Sequence, residues 1–213
     1  MSKIVIELQQ EALKSDFDIM SLLRKAYLVA KKLKLQEFKE WINNELNGYG
    51  DKDEIPKYRL LRGEIKAWNP YHGWIPVILT NENQNITTHT AADSIANLLN
   101  VYENSTNKSA ILQFGAELNN LLSQSVNFNT KFALEIGTNQ IYNIIERVRN
   151  IILDWSITLE ENGILGDELQ FNETEKDKAT TTPTINNYIN NFFGPVSETQ
   201  IQQDTKESSQ NKD

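Results

Sequence analysis

The chain has 213 residues, 39% hydrophobic and 23% charged, enough for one sizeable globular domain with or without appendages. A formal net charge of −8 argues against nucleic acid as a partner, because phosphate contacts need local positive charge. Zero cysteines exclude disulfides and thiolate nucleophiles, and no apolar run reaches the ~20 residues that cross a bilayer, so no membrane partner is expected.

The N-terminal stretch MSKIVIELQQEALKS carries acidic and polar residues where a signal peptide needs a continuous apolar core, and the expected location is cytoplasmic. Ile4, Ile6, Leu8, Ala12 and Leu13 suit a short amphipathic helix. Ser15 or Asp16 is placed to cap a second, whose apolar positions Ile19, Leu22, Leu23, Ala26, Tyr27 and Ala30 follow the 3.6-residue period. A third carries Leu35, Phe38, Trp41, Ile42 and Leu46 on one face and stops at Gly48. Residues 3–48 therefore read as a three-helix unit, with Trp41 in the core. The basic run Arg24, Lys25, Lys31, Lys32, Lys34 and Lys39 reads as a solvated helix face.

After Pro56 the period changes to two. Residues 58–68 alternate between faces, and WIPVIL follows a turn at Asn69–Gly73, which together predict a β-hairpin. Asn81 to Thr90 reads as a polar loop, with Thr90 capping a helix that contains Ile95, Leu98, Leu99 and Tyr102. SAILQF and KFALEI are strand candidates separated by a short helix, AELNNLLSQS. Thr138 then opens a long helix with the stripe Ile141, Ile144, Ile145, Val148, Ile151, Ile152, Trp155 and Leu159, ended by Gly163. The expected fold class is α+β: an N-terminal three-helix unit, a small sheet built on a hairpin, and a long C-terminal amphipathic helix.

From Gly163 onward four Lys/Arg stand against nine Asp/Glu. Residues 1–172 read as the folded domain, 173–184 as a polar linker, 185–203 as a short apolar, β-prone segment, and 204–213 as a disordered tail. Phe192, Phe193, Val196 and Ile201 lack an evident core of their own, which makes them candidates for self-association and the chain a candidate homo-oligomer. The competing expectation is that this segment docks on its own domain.

Catalytic patterns are scarce. Two histidines and no cysteine do not make a zinc cage, and no phosphate loop, dinucleotide fingerprint or nucleophile elbow occurs. No catalytic residue, metal ligand or cofactor is assigned. Arg147 and Arg149 read as surface ion pairs with Glu146 and Asp154, and His89 as a helix-entry residue. The richest stretch is AWNPYHGWIPV. Asn69-Pro70 initiates a turn, Gly73 can take a positive φ, and Trp68 and Trp74 can pair across the ladder. A structural turn is the first reading and a recognition tip of Trp68, Tyr71, His72 and Trp74 the second; catalysis by His72 comes last, since a general base needs a partner within hydrogen-bond reach.

Three blocks together carry a family resemblance: LQQEALKSDFDIMSLLRKAYLVAKKLKLQEFKEWINNELNGY, YRLLRGEIKAWNPYHGWIPV and ERVRNIILDWSITLEENGILGDELQFNETEK. In that order they resemble the AbiTii domain of bacterial abortive-infection proteins, over residues 3 to about 180. The resemblance implies cytoplasmic defence against bacteriophage and supplies no reaction. NNFFGPVSETQIQQ is also similar to short C-terminal tails of prokaryotic defence proteins written GPVGN, with Ser197 and Glu198 in place of Gly-Asn. The expected function is a non-enzymatic interaction or regulatory module, self-associating or bound to a neighbouring defence-system protein. The alternative is a toxic effector enzyme such as a nuclease.

Overall fold

The computed structural model describes residues 3–50, 54–78, 86–126 and 128–189. Three helices come first: α1 (Ile4–Leu13), α2 (Ile19–Lys32) and α3 (Gln36–Asn47). The cap of α2 is Asp18 rather than Ser15 or Asp16, its carboxylate accepting from the Met20 and Ser21 amides at 2.9 and 3.1 Å. Gly48 ends α3 at φ +93°, and Trp41 is buried, as its helical spacing predicts.

The sheet is antiparallel throughout. Its strands are β1 (Leu60–Asn69), β2 (Gly73–Pro76), β3 (Thr88–Thr90), β4 (Ser109–Gln113) and β5 (Phe132–Gly137). They run in the order β2-β1-β5-β4, with β3 alongside the start of β1. Between them lie α4 (Ile95–Asn104) and α5 (Ala116–Ser125). His89 and Thr90 belong to β3, with His89 opposite Leu61, and Ser94 caps α4 in place of Thr90. Of the expected strand WIPVIL, the strand register reaches Pro76 and the Val77 amide still donates to the Ile65 carbonyl at 2.9 Å, while Leu79 lies outside the described residues.

Helix α6 (Thr138–Glu161) is the spine of the core. Its stripe from Ile141 to Leu159 is buried, and α1 and α4 both pack on it. One sheet face adds Leu61, Ile65, Phe132, Leu134 and Ile136 to the same cluster. The opposite face is polar at its centre, where Lys66 bridges Glu64 and Glu135 at 3.0 Å each. This alternation is what a sheet covered on one side requires.

Residues 173–184, expected as a polar linker, carry helix α7 (Glu173–Thr181) and the start of α8 (Pro183–Asn186). A reciprocal capping box starts α7, with Asn172 accepting from the Glu175 amide and Glu175 from the Asn172 amide, both at 2.9 Å. Glu175 also accepts from the Leu165 and Gly166 amides, tying α7 to the turn after α6. Ile185 and Tyr188, assigned by sequence to the β-prone segment, are buried in the core instead. Tyr188 meets Phe38 edge-on at 5.8 Å, Phe38 stacks on Trp155 at 3.9 Å, and the Tyr188 hydroxyl donates to Asp154. Phe192, Phe193, Val196 and Ile201 lie outside the described residues.

Candidate functional site

The hairpin tip is built as its residue types require. Asn69 Oδ1 accepts from the Tyr71 and His72 amides at 2.9 and 3.1 Å, closing an Asx turn, and Gly73 takes φ +71° to rejoin the ladder. Trp68 lies opposite Trp74, their rings edge-to-face with centroids 5.4 Å apart. The loop before β5 fixes Trp68 from its other side. The Trp68 amide donates to the Lys131 carbonyl at 2.8 Å, and the Thr130 hydroxyl donates to the Trp68 carbonyl at 2.6 Å.

A rigid backbone thus presents an open aromatic surface. Tyr71 is 91% exposed and Trp68 42%, with Ile75 exposed on β2 and Phe128 exposed in the neighbouring loop. All four sequence-predicted tip residues, Trp68, Tyr71, His72 and Trp74, are brought together on this one turn. His72 is exposed, and among the described residues its hydrogen bonding is through its backbone amide. Such a tip can stack on or cover an apolar partner surface at small entropic cost, since its aromatic side chains have few rotamers and the Trp68–Trp74 pair is already held.

A second cluster escaped the sequence reading. Glu45 of α3 and Arg59, just before β1, form an ion pair with both side chains fully buried. Arg59 donates through Nε and Nη2 to the two carboxylate oxygens, and through Nη1 to the Ala91 and Asp93 carbonyls at 2.8 Å. The Tyr49 and Tyr58 hydroxyls both donate to Glu45 Oε1 at 2.5 Å, and Trp41 Nε1 donates to the Tyr58 oxygen at 3.1 Å. The Arg59 guanidinium also lies 4.7 Å over the Tyr49 ring. Burial, then the adjacent Glu45 charge, pushes both phenol pKa values far above the ordinary tyrosine range. Burial opposes the Arg59 charge, but Glu45 outweighs it and holds the guanidinium protonated.

An open concavity of about 450 Å³ lies over this cluster, lined by residues 47–50 and 92–94 with Asn97. Because four Arg59 N–H groups already have protein acceptors, the cluster is a clamp joining α3, β1 and the α4 entry rather than an anion site. The one signal in the sequence was a charged residue, Glu45, within one turn of the buried Ile42.

Arg149 of α6 pairs with Glu146, as expected, but also donates to the Ala12 and Lys14 carbonyls and stacks 4.1 Å over Phe17. It therefore caps α1 as well. Among the described residues no group of three or more His, Asp or Glu is arranged to hold a metal ion, and no helix is long and apolar enough to cross a membrane.

The family model of AbiTii matches residues 3–184, which spans the three helices, the hairpin, the sheet, α6 and α7. The chain belongs to the AbiTii family. AbiTii is a bacterial abortive-infection, phage-defence domain, so the fold and the hairpin are those of an anti-phage protein. No curated protein and no solved structure matches the chain. The AbiTii match runs through the whole of the expected linker to Thr184, one residue short of the buried Ile185.

Proposed function

We propose that this AbiTii protein serves phage defence in the cytoplasm as a non-enzymatic interaction module, recognising a partner through the Trp68–Trp74 hairpin tip. The carrying observation is the exposure of Tyr71 and Trp68 on a turn whose backbone is fixed by Asn69, Thr130 and Lys131. Exposed aromatics on a rigid element are what binding hot spots are made of. The partner of first choice is a neighbouring defence-system protein. A second contact, between copies, runs through Phe192, Phe193, Val196 and Ile201 of the C-terminal segment.

Phage protection by Tyr71→Ala, Trp68→Ala and His72→Ala separates this reading from a toxic effector nuclease. Recognition predicts loss of protection and of co-purified partner in Tyr71→Ala and Trp68→Ala, with His72→Ala near wild type. Loss in His72→Ala alone, with partner capture intact, would favour chemistry at the tip. Light scattering on the full chain and on one ending at Ile189 tests the C-terminal contact, and an unchanged mass would rule it out. Ile189 is the proper endpoint, because a chain cut at Ala179 also lacks the core residues Ile185 and Tyr188.

A further inference from the structure

The hydrogen-bonded order of the sheet ends at β4, whose far edge has no strand beside it among the described residues. Ladder parity identifies the groups on that edge. The Phe114 amide donates to the Phe132 carbonyl at 3.3 Å, and Leu112 lies opposite Leu134. The even-numbered residues of β4 therefore bond to β5, while Ile111 and Gln113 turn their N–H and C=O groups outward.

Natural sheets guard such edges with charge, proline, bulges or short length. The opposite edge strand, β2, is four residues long and ends on Pro76. Strand β4 reads SAILQ, without charge, proline or glycine, and Ile111 is 39% exposed.

We infer that this edge takes β4 of a second copy, paired antiparallel about a two-fold axis through Ile111, so that the sheet runs on across a homodimer. The strand is complementary to itself in that register. Ile111 meets Ile111, Ala110 meets Leu112, and Ser109 meets Gln113, pairing apolar with apolar and neutral polar with neutral polar. Lys108 falls opposite Phe114, so no like charges face each other. The contact is independent of the C-terminal segment, and the two readings fail separately.

Sedimentation of the full chain tests it. Ile111→Lys sets two ammonium groups against each other across the axis and halves the mass, whereas Ile111→Val leaves it unchanged. An Ile111→Lys protein that melts normally and keeps its mass overturns the inference, as does a wild-type chain that stays monomeric when concentrated. Should the lysine variant not fold, amide exchange in the wild type decides. The Ile111 and Gln113 amides slow roughly tenfold or more between dilute and concentrated samples if a second copy covers them. Fast exchange at every concentration overturns the inference. Slow exchange independent of concentration, and lost when the chain ends at Ile189, assigns the edge to the C-terminal segment and overturns it too.

Discussion

Glu45 and Arg59 stand fourteen residues apart, on a helix and on the lead into a strand, with neither side chain reaching solvent. Removing one partner strands the other charge in the core, so Glu45→Gln is expected to cost about 3–5 kcal/mol in urea unfolding. The double replacement Glu45→Leu with Arg59→Met should lose much less than the two single changes summed, because no unpaired charge remains. Equal additivity would mean that the pair is not coupled. Glu175 makes a pH prediction. Burial works against its charge, but the Gly166, Asn172 and Leu165 amides outweigh it and hold the carboxyl below its ordinary value. A depressed folded value contributes stability that is present above the unfolded pKa, about 4.3, and is lost as pH falls through the folded one. Thermal melts should show Glu175→Gln less stable at neutral pH and shallower in its acid decline. A parallel decline would exclude Glu175 as a source of acid sensitivity.

At the scale of elements, local pattern and observed structure agree wherever the pattern is long. The three N-terminal helices, the hairpin, β4, α5, β5 and α6 all stand where their periodicities place them. The hairpin was legible to the level of side chains, because Asn69, Gly73 and the Trp68–Trp74 pair carry turn chemistry within seven residues. Helix α7 was not. Its composition is polar, its one buried residue is Ala179, and its stability comes from the capping box and from Glu175 reaching the turn after α6. Gly63 shows a constraint hidden in a strand. A Cβ there would lie 2.4 Å from the Glu135 carbonyl oxygen and 2.8 Å from the Leu134 side chain. Gly63→Ala should therefore force β1 away from β5 and cost about 1–3 kcal/mol by urea unfolding. A neutral outcome would mean that the ladder can open there without loss.

Taken as a whole, the molecule closes its core with residues from both ends of the described chain. Phe38, Trp155 and Tyr188 join α3, α6 and the stretch after α8 in one aromatic cluster. Burying Ile185 and Tyr188 is worth about 1.5–3 kcal/mol each. A chain ending at Ala179 should lose most of that sum in its denaturation midpoint, while one ending at Ile189 should melt like the full chain. Equal midpoints for the two truncations would place Ile185 and Tyr188 outside the cooperative core. Self-association judged only from the shorter truncation would confuse loss of fold with loss of contact.

By itself the sequence determined the α+β class, the buried faces of α2, α3 and α6, the hairpin with its aromatic pair, and the resemblance to AbiTii that the family match bears out, whereas on α1 Leu13, expected on the apolar face, is exposed and Val5 is buried. Each of these is written in a short window, since a 3.6- or two-residue period and a turn dipeptide act on neighbouring residues. Only the tertiary structure decided that Glu45 meets Arg59, that Arg149 caps α1, and that among the described residues β4 ends the sheet with the Ile111 backbone groups facing outward. The reason is physical: which faces of distant elements come together depends on how the whole core packs, and no window of the chain contains that information.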